Sequence, residues 1–72
     1  MNYLTLDLHG ILHDEVNRTV FNFVFSNSQN IPLRVVTGNS NRMRDIAIKA
    51  VEELGYSWHH EHWIESGAII IT

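Results

Sequence analysis

Leu4, Leu6 and Leu8 alternate with Tyr3, Thr5 and Asp7 at the start of the chain, and this period of two predicts a half-buried strand over residues 3–8. From about residue 13 to 26 the period lengthens. Val16, Val20, Phe23 and Val24 fall at helical spacing, with Asp14 and Glu15 in the first turn, where the positive end of a helix favours carboxylates. Leu12 and His13 are poor caps for that helix. The run Ser26-Asn27-Ser28-Gln29-Asn30 has loop chemistry, Pro32 blocks helix continuation, and Leu33 to Val36 reads as a second strand. Asn39, Ser40 and Asn41 then introduce a second helix with Met43, Ile46, Ala47, Ala50, Val51 and Leu54 on its buried stripe, stopped by Gly55. Tyr56 to Trp63 and Ala68 to Ile71 read as an antiparallel strand pair around a Glu65-Ser66-Gly67 turn. The remaining large apolar side chains, Phe21, Phe23, Phe25 and Met43, are assigned to the core.

The expected order is therefore βαβαββ, an α/β chain. Strands separated by helices should lie parallel through right-handed crossovers, and amphipathic helices need a sheet face to cover. A length of 72 residues accommodates one domain, residues 1–72, with a single modest core. The absence of cysteine excludes disulfides, thiolate metal sites and a cysteine nucleophile, and fits a reducing compartment. The first residues lack the basic flank and long apolar stretch of a signal peptide, and no run reaches membrane-spanning length, so a cytoplasmic protein without a membrane partner is expected.

Chemistry gathers at two glycine turns. Asp7-Leu8-His9-Gly10 ends the first strand and Thr37-Gly38-Asn39-Ser40 ends the second; strand ends that feed helices are where open α/β proteins collect ligands, so one shared site is expected. The net charge of −3 opposes a nucleic-acid partner at first sight. However, Arg34, Arg42, Arg44 and Lys49 cluster between Asp7, Asp14 and Glu15 on one side and Glu52, Glu53, Glu61 and Glu65 on the other. Such a patch can attach weakly and salt-sensitively to phosphate. For phosphodiester hydrolysis, His9 could act as base towards water or a 2′-hydroxyl, imidazole being the side chain that exchanges protons near neutrality. Asp7 could orient His9 or hold a divalent cation such as Mg2+. Thr37, the amides after Gly38 and the amino end of the second helix, aided by Arg42 or Arg44, could bind the phosphate. The bland counterparts are a carboxylate that merely closes a turn and a strand-to-helix connection with a good cap.

In Trp58-His59-His60-Glu61-His62-Trp63, a strand would put Trp58, His60 and His62 on one face, so His60 and His62 could share a metal. No spaced third ligand completes a tetrahedral set, and no metal site is assigned. Trp58 or Trp63 could stack on a base, or pack under the helices and close the sheet edge. The glycines lack Walker or dinucleotide-loop spacing, so no nucleotide cofactor is expected.

Taken together, three stretches resemble the Smr (small MutS-related) domain family. Leu6-Asp7-Leu8-His9-Gly10 followed by Glu15-Val16 is similar to its Leu-Asp-Leu-His-Gly signature and following Glu-Ala. Leu33 to Gly38 resembles its strand into a Thr-Gly-x-Gly or His-Gly-x-Gly loop, and Gly67 to Ile71 its closing Gly-Ala strand. The resemblance spans nearly the whole chain. It implies a two-layer α+β sandwich, a mixed four-stranded sheet with both helices on one face, like the carboxy-terminal domain of bacterial initiation factor three, and binding of DNA or RNA. It also implies either nicking or structure-directed endonuclease activity, with Asp7 and His9 catalytic, or a non-catalytic DNA-, RNA- or ribosome-binding module. Gly10, Thr37, Gly38, Asn39, Ser40, Arg42 and Arg44 are the expected nucleic-acid contacts. Asn39 and Ser40 depart from the family's lysine and second glycine; Asn39 tolerates left-handed geometry, and Ser40 or Asn41 can cap the helix. A protein partner on the uncovered sheet face, or a second copy of the chain, could complete the activity.

Overall fold

The computed structural model describes residues 3–62 and 67–72. Along the chain lie β1 (Leu4–Asp7), α1 (His13–Ser26), a single 3-10 turn (Ser28–Asn30), β2 (Leu33–Val36), α2 (Asn41–Glu53), β3 (Trp58–His60) and β4 (Ala68–Ile71). The strands form one mixed sheet in the order β1-β2-β4-β3. β1 and β2 are parallel, whereas β4 is antiparallel to both β2 and β3. The fold is thus α+β with the βαβαββ order that the periodicities predict. Among the described residues no helix is long and apolar enough to cross a membrane.

Register decides which residues meet the helices. Leu6 opposes Val35, Val35 opposes Ile69, and Ile69 opposes His60, while Leu33 and Trp58 both oppose Ile71. Residues directly opposite share a face, and Leu33, Val35, Ile69 and Ile71 are buried with Val16, Val20 and Val24 of α1 and Met43, Ala47, Ala50 and Val51 of α2. Both helices therefore cover this face and pack on one another. The other face carries Thr5, Asp7, Arg34, Val36, Ala68, Ile70 and His59. It is not bare: Ala68 and Ile70 are only 3% and 2% exposed, and the Arg34 Nε–H donates to the Glu61 carboxylate at 2.9 Å, spanning β4. The uncovered face expected for a protein partner is partly closed by the chain itself.

Two expectations are corrected. Phe25 is 78% exposed rather than core: it lies nine positions after Val16, and about 100° per helical residue turns it to the opposite side from the Val16-Val20-Val24 stripe. Phe21 and Phe23 are half-buried against the core and Met43 is buried. The third strand is also shorter than the 56–63 expected. The Glu61 amide still bonds the Ala68 carbonyl at 3.1 Å, but the chain bends at Glu61 and His62, so His62 does not continue the strand face of His60. Trp63, Glu65 and Ser66 lie outside the described residues. Trp58 packs against the core, meets the His60 ring edge-on at 5.3 Å and donates its indole N–H to Glu52 at 3.0 Å, which ties β3 to α2.

The helix starts differ in a way that matters below. Leu12 at the N-cap of α1 makes no side-chain bond, whereas the Ser40 hydroxyl at the N-cap of α2 accepts the Met43 amide at 3.1 Å. Ser40→Ala is expected to cost about 1 kcal/mol by orphaning that amide, which lowers the midpoint of thermal unfolding by about 4–8 °C in a domain of this size. Ser40→Gly should cost only a few tenths of a kcal/mol. Circular dichroism melts of the two variants distinguish capping from any other role of the hydroxyl.

Candidate functional site

Because β1 and β2 are parallel neighbours, their carboxyl ends emerge side by side, and the Leu8 amide extends the ladder to the Val36 carbonyl at 3.0 Å. The chain then turns at once. The Ile11 amide bonds the Leu8 carbonyl at 3.0 Å, closing a four-residue turn whose third position is Gly10 at φ 81°, the left-handed position a type II turn requires. His9 occupies the exposed corner of this turn. Asp7 accepts the His9 backbone N–H on Oδ1 at 2.9 Å, so the carboxylate fixes the backbone that carries the imidazole. It does not bond the imidazole itself.

The second turn is clamped from a distance. The Gly67 carbonyl accepts the Thr37 and Gly38 amides at 2.8 and 2.9 Å and the Thr37 hydroxyl at 3.2 Å. Gly67 has φ 80°, and a Cβ on it would lie 3.1 Å from the Gly38 carbonyl oxygen, so the head of β4 and the second glycine turn approach as only glycine allows. Gly67 reads from the sequence as a turn residue heading a closing strand. Its three-fold hold on a loop thirty positions earlier has no local signature.

Between the turns opens a cavity of about 430 Å³. Asp7, His9 and Gly10 line it from the first turn and Thr37, Gly38, Asn39 and Ser40 from the second, over a floor of Leu8, Val36 and Met43. The two turns expected to share a site therefore do meet. Arg42 and Arg44 are not in its wall. Arg42 is exposed in the first turn of α2, and Arg44 is 6% exposed, with Nη1 donating to Asn41 Oδ1 at 2.7 Å. Arg34 is paired with Glu61 and neither it nor Lys49 lines the cavity, so the basic cluster of the sequence does not converge on it.

What faces a ligand is an exposed imidazole, one carboxylate and the amino end of α2, whose first amides have no acceptor within the helix. The Thr37 hydroxyl is buried and its proton is committed to Gly67, so Thr37 shapes the loop without donating to a phosphate. Among the described residues no non-glycine has positive φ; Asn39 does not use left-handed geometry, and Ser40 sits in the extended region at φ −82°, ψ 114°. A serine at position 40 is therefore compatible with this backbone. Among the described residues no group of three or more His, Cys, Asp or Glu side chains could hold a metal ion. A divalent cation here would rely on Asp7 together with oxygens of the substrate. Comparison with protein-family models, curated proteins and solved structures found no match.

Proposed function

We propose that the chain is a small nucleic-acid-binding domain of the Smr type, with a weak phosphodiester-cleaving site at the joined ends of β1 and β2. The observation that carries this reading is the convergence of Asp7-Leu8-His9-Gly10 and Thr37-Gly38-Asn39-Ser40 on one open cavity. In the proposed chemistry a backbone phosphate sits against the amides after Gly38 and the amino end of α2, which offset the charge that develops on its oxygens. His9, held at the mouth of the cavity by the Asp7 bond to its amide, takes the proton from water or from a 2′-hydroxyl as the new P–O bond forms, the P–O bond to the leaving alcohol breaks, and the leaving oxygen takes up a proton from solvent. A cation shared between Asp7 and the phosphate would neutralise charge that no arginine in the wall neutralises.

A second reading, a module that grips DNA or RNA without cutting, is favoured by the engagement of Asp7 Oδ1 in the turn and by the lack of a cation in the wall. Both readings require binding, which polarisation titrations with a DNA and an RNA oligonucleotide measure. With Arg42 exposed in the first turn of α2, engagement of one or two phosphates is expected, and the slope of log affinity against log salt should lie near −1 to −2, at about 0.7–0.9 per phosphate. A slope steeper than about −4 would locate the contacts elsewhere on the surface. Binding to neither polymer would overturn both readings.

A further inference from the structure

β1 and β3 are the two edges of the sheet, and an edge strand offers a row of amides and carbonyls to any strand that can pair with it. The two edges differ. β3 is three residues long and the chain bends at Glu61 and His62, which blunts it as natural edges are blunted. β1 contains no lysine, arginine or proline, and among the described residues no strand lies beyond it. Its phase is set at its two ends. The Leu8 amide bonds the Val36 carbonyl inside the sheet at 3.0 Å, whereas the Tyr3 carbonyl accepts the Thr5 hydroxyl at 3.0 Å. Successive residues of a strand direct their amides and carbonyls to opposite sides, so those of Thr5 and Asp7 point away from β2.

The leucines of β1 lack a neighbour on that same side. Leu4 opposes Leu33, and Leu33 is fully buried while Leu4 is 49% exposed; Leu6 is half-buried opposite a fully buried Val35. The order of side chains along β1 selects the occupant. In an antiparallel copy that sets Thr5 against its own counterpart, outward amides meet outward carbonyls, Leu4 faces Leu6 of the second copy, and Tyr3 faces its Asp7. Apolar thus meets apolar, and each carboxylate meets a phenol able to donate to it instead of a second carboxylate. Complementarity of a strand with its own reverse is what a two-fold contact requires, and an unrelated peptide has no cause to satisfy it. We infer that β1 is a docking edge for a second copy of this chain, which joins two four-stranded sheets into one across a two-fold axis at Thr5. This inference does not depend on the nucleic-acid reading. An interface limited to residues 3–7 of each copy falls in the small class, below about 1,200 Å² in total, that holds reversible complexes.

Sedimentation equilibrium over a micromolar to millimolar range should show the wild type passing from monomer to dimer. Thr5 is exposed, so Thr5→Lys and Thr5→Glu should fold normally by circular dichroism, yet each should weaken the dimer about fivefold by setting like charges opposite one another. An equimolar mixture of the two should recover at least the wild-type affinity, because the axis sets Lys against Glu. Thr5→Val should dimerise like the wild type, which separates the charge effect from loss of the hydroxyl bond to Tyr3. A wild type monomeric throughout, a dimer indifferent to Thr5→Lys and Thr5→Glu, an equal loss in Thr5→Val, or a mixture no tighter than its components would each overturn the inference.

Discussion

Gly67→Ala is expected to destabilise the protein by about 2–4 kcal/mol, since a left-handed φ costs an L-residue about 1–2 kcal/mol and a forced backbone shift adds a comparable amount. The alanine Cβ would lie 3.1 Å from the Gly38 carbonyl oxygen and 3.2 Å from its carbon, and neither atom belongs to a side chain that can rotate away. For a domain of this size the unfolding midpoint should fall by about 10–20 °C. Gly10→Ala is the matched control: its φ is +81° but nothing lies within 4 Å of the added carbon, so it reports the conformational cost alone. The difference between the two melts measures the close approach. Below its melting point Gly67→Ala should also lose nucleic-acid affinity, because the displaced carbonyl holds Thr37 and Gly38 in place. Equal midpoints for the two alanine variants would show that β4 does not clamp the loop.

That clamp marks the boundary between what the sequence reveals and what it conceals. Periodicity and punctuation locate α1 from His13 to Ser26, β2 from Leu33 to Val36 and the capped start of α2 at Ser40, because each is dictated by neighbours within a turn or two. The meeting of the glycine turns is legible for a similar reason: one crossover helix between two strands makes them parallel, and parallel neighbours end together. Side-chain fates decided across the fold are not legible. Arg34 is claimed by Glu61, 27 residues on, and the Thr37 hydroxyl by Gly67, 30 residues on. Arg44 stands seven positions before Val51, on the same side of α2, and is buried with that stripe although an arginine reads locally as a solvent-facing cation. Each of these removes a group that a local reading assigns to phosphate. What remains at the site is backbone amide, one imidazole and one carboxylate, a set better suited to slow chemistry or plain binding than to a strongly cationic nuclease.

The largest functional effect is expected at His9. If the site cuts, His9→Ala should lower the cleavage rate of supercoiled DNA or a structured RNA by about 10²–10⁴, the usual contribution of a positioned general base. Stability should move by less than about 0.5 kcal/mol, as for other surface substitutions, since the side chain is exposed. Asp7 divides the remaining possibilities. Asn at position 7 keeps an Oδ1 acceptor for the His9 amide but carries no charge, whereas Ala removes acceptor and charge together. If Asp7 acts only by holding the turn, Asp7→Asn should cleave like the wild type and Asp7→Ala should not. If its charge acts on a cation or on the imidazolium, both variants should be impaired, Asp7→Ala at least as much as Asp7→Asn, and in the cation case added magnesium should change the wild-type rate but not theirs. Undiminished cleavage by His9→Ala, in protein freed of host nucleases, would remove His9 from the chemistry. Binding without cleavage by the wild type would assign Asp7 wholly to the turn, and it would leave the cavity as a grip for a phosphate that the protein holds but does not break.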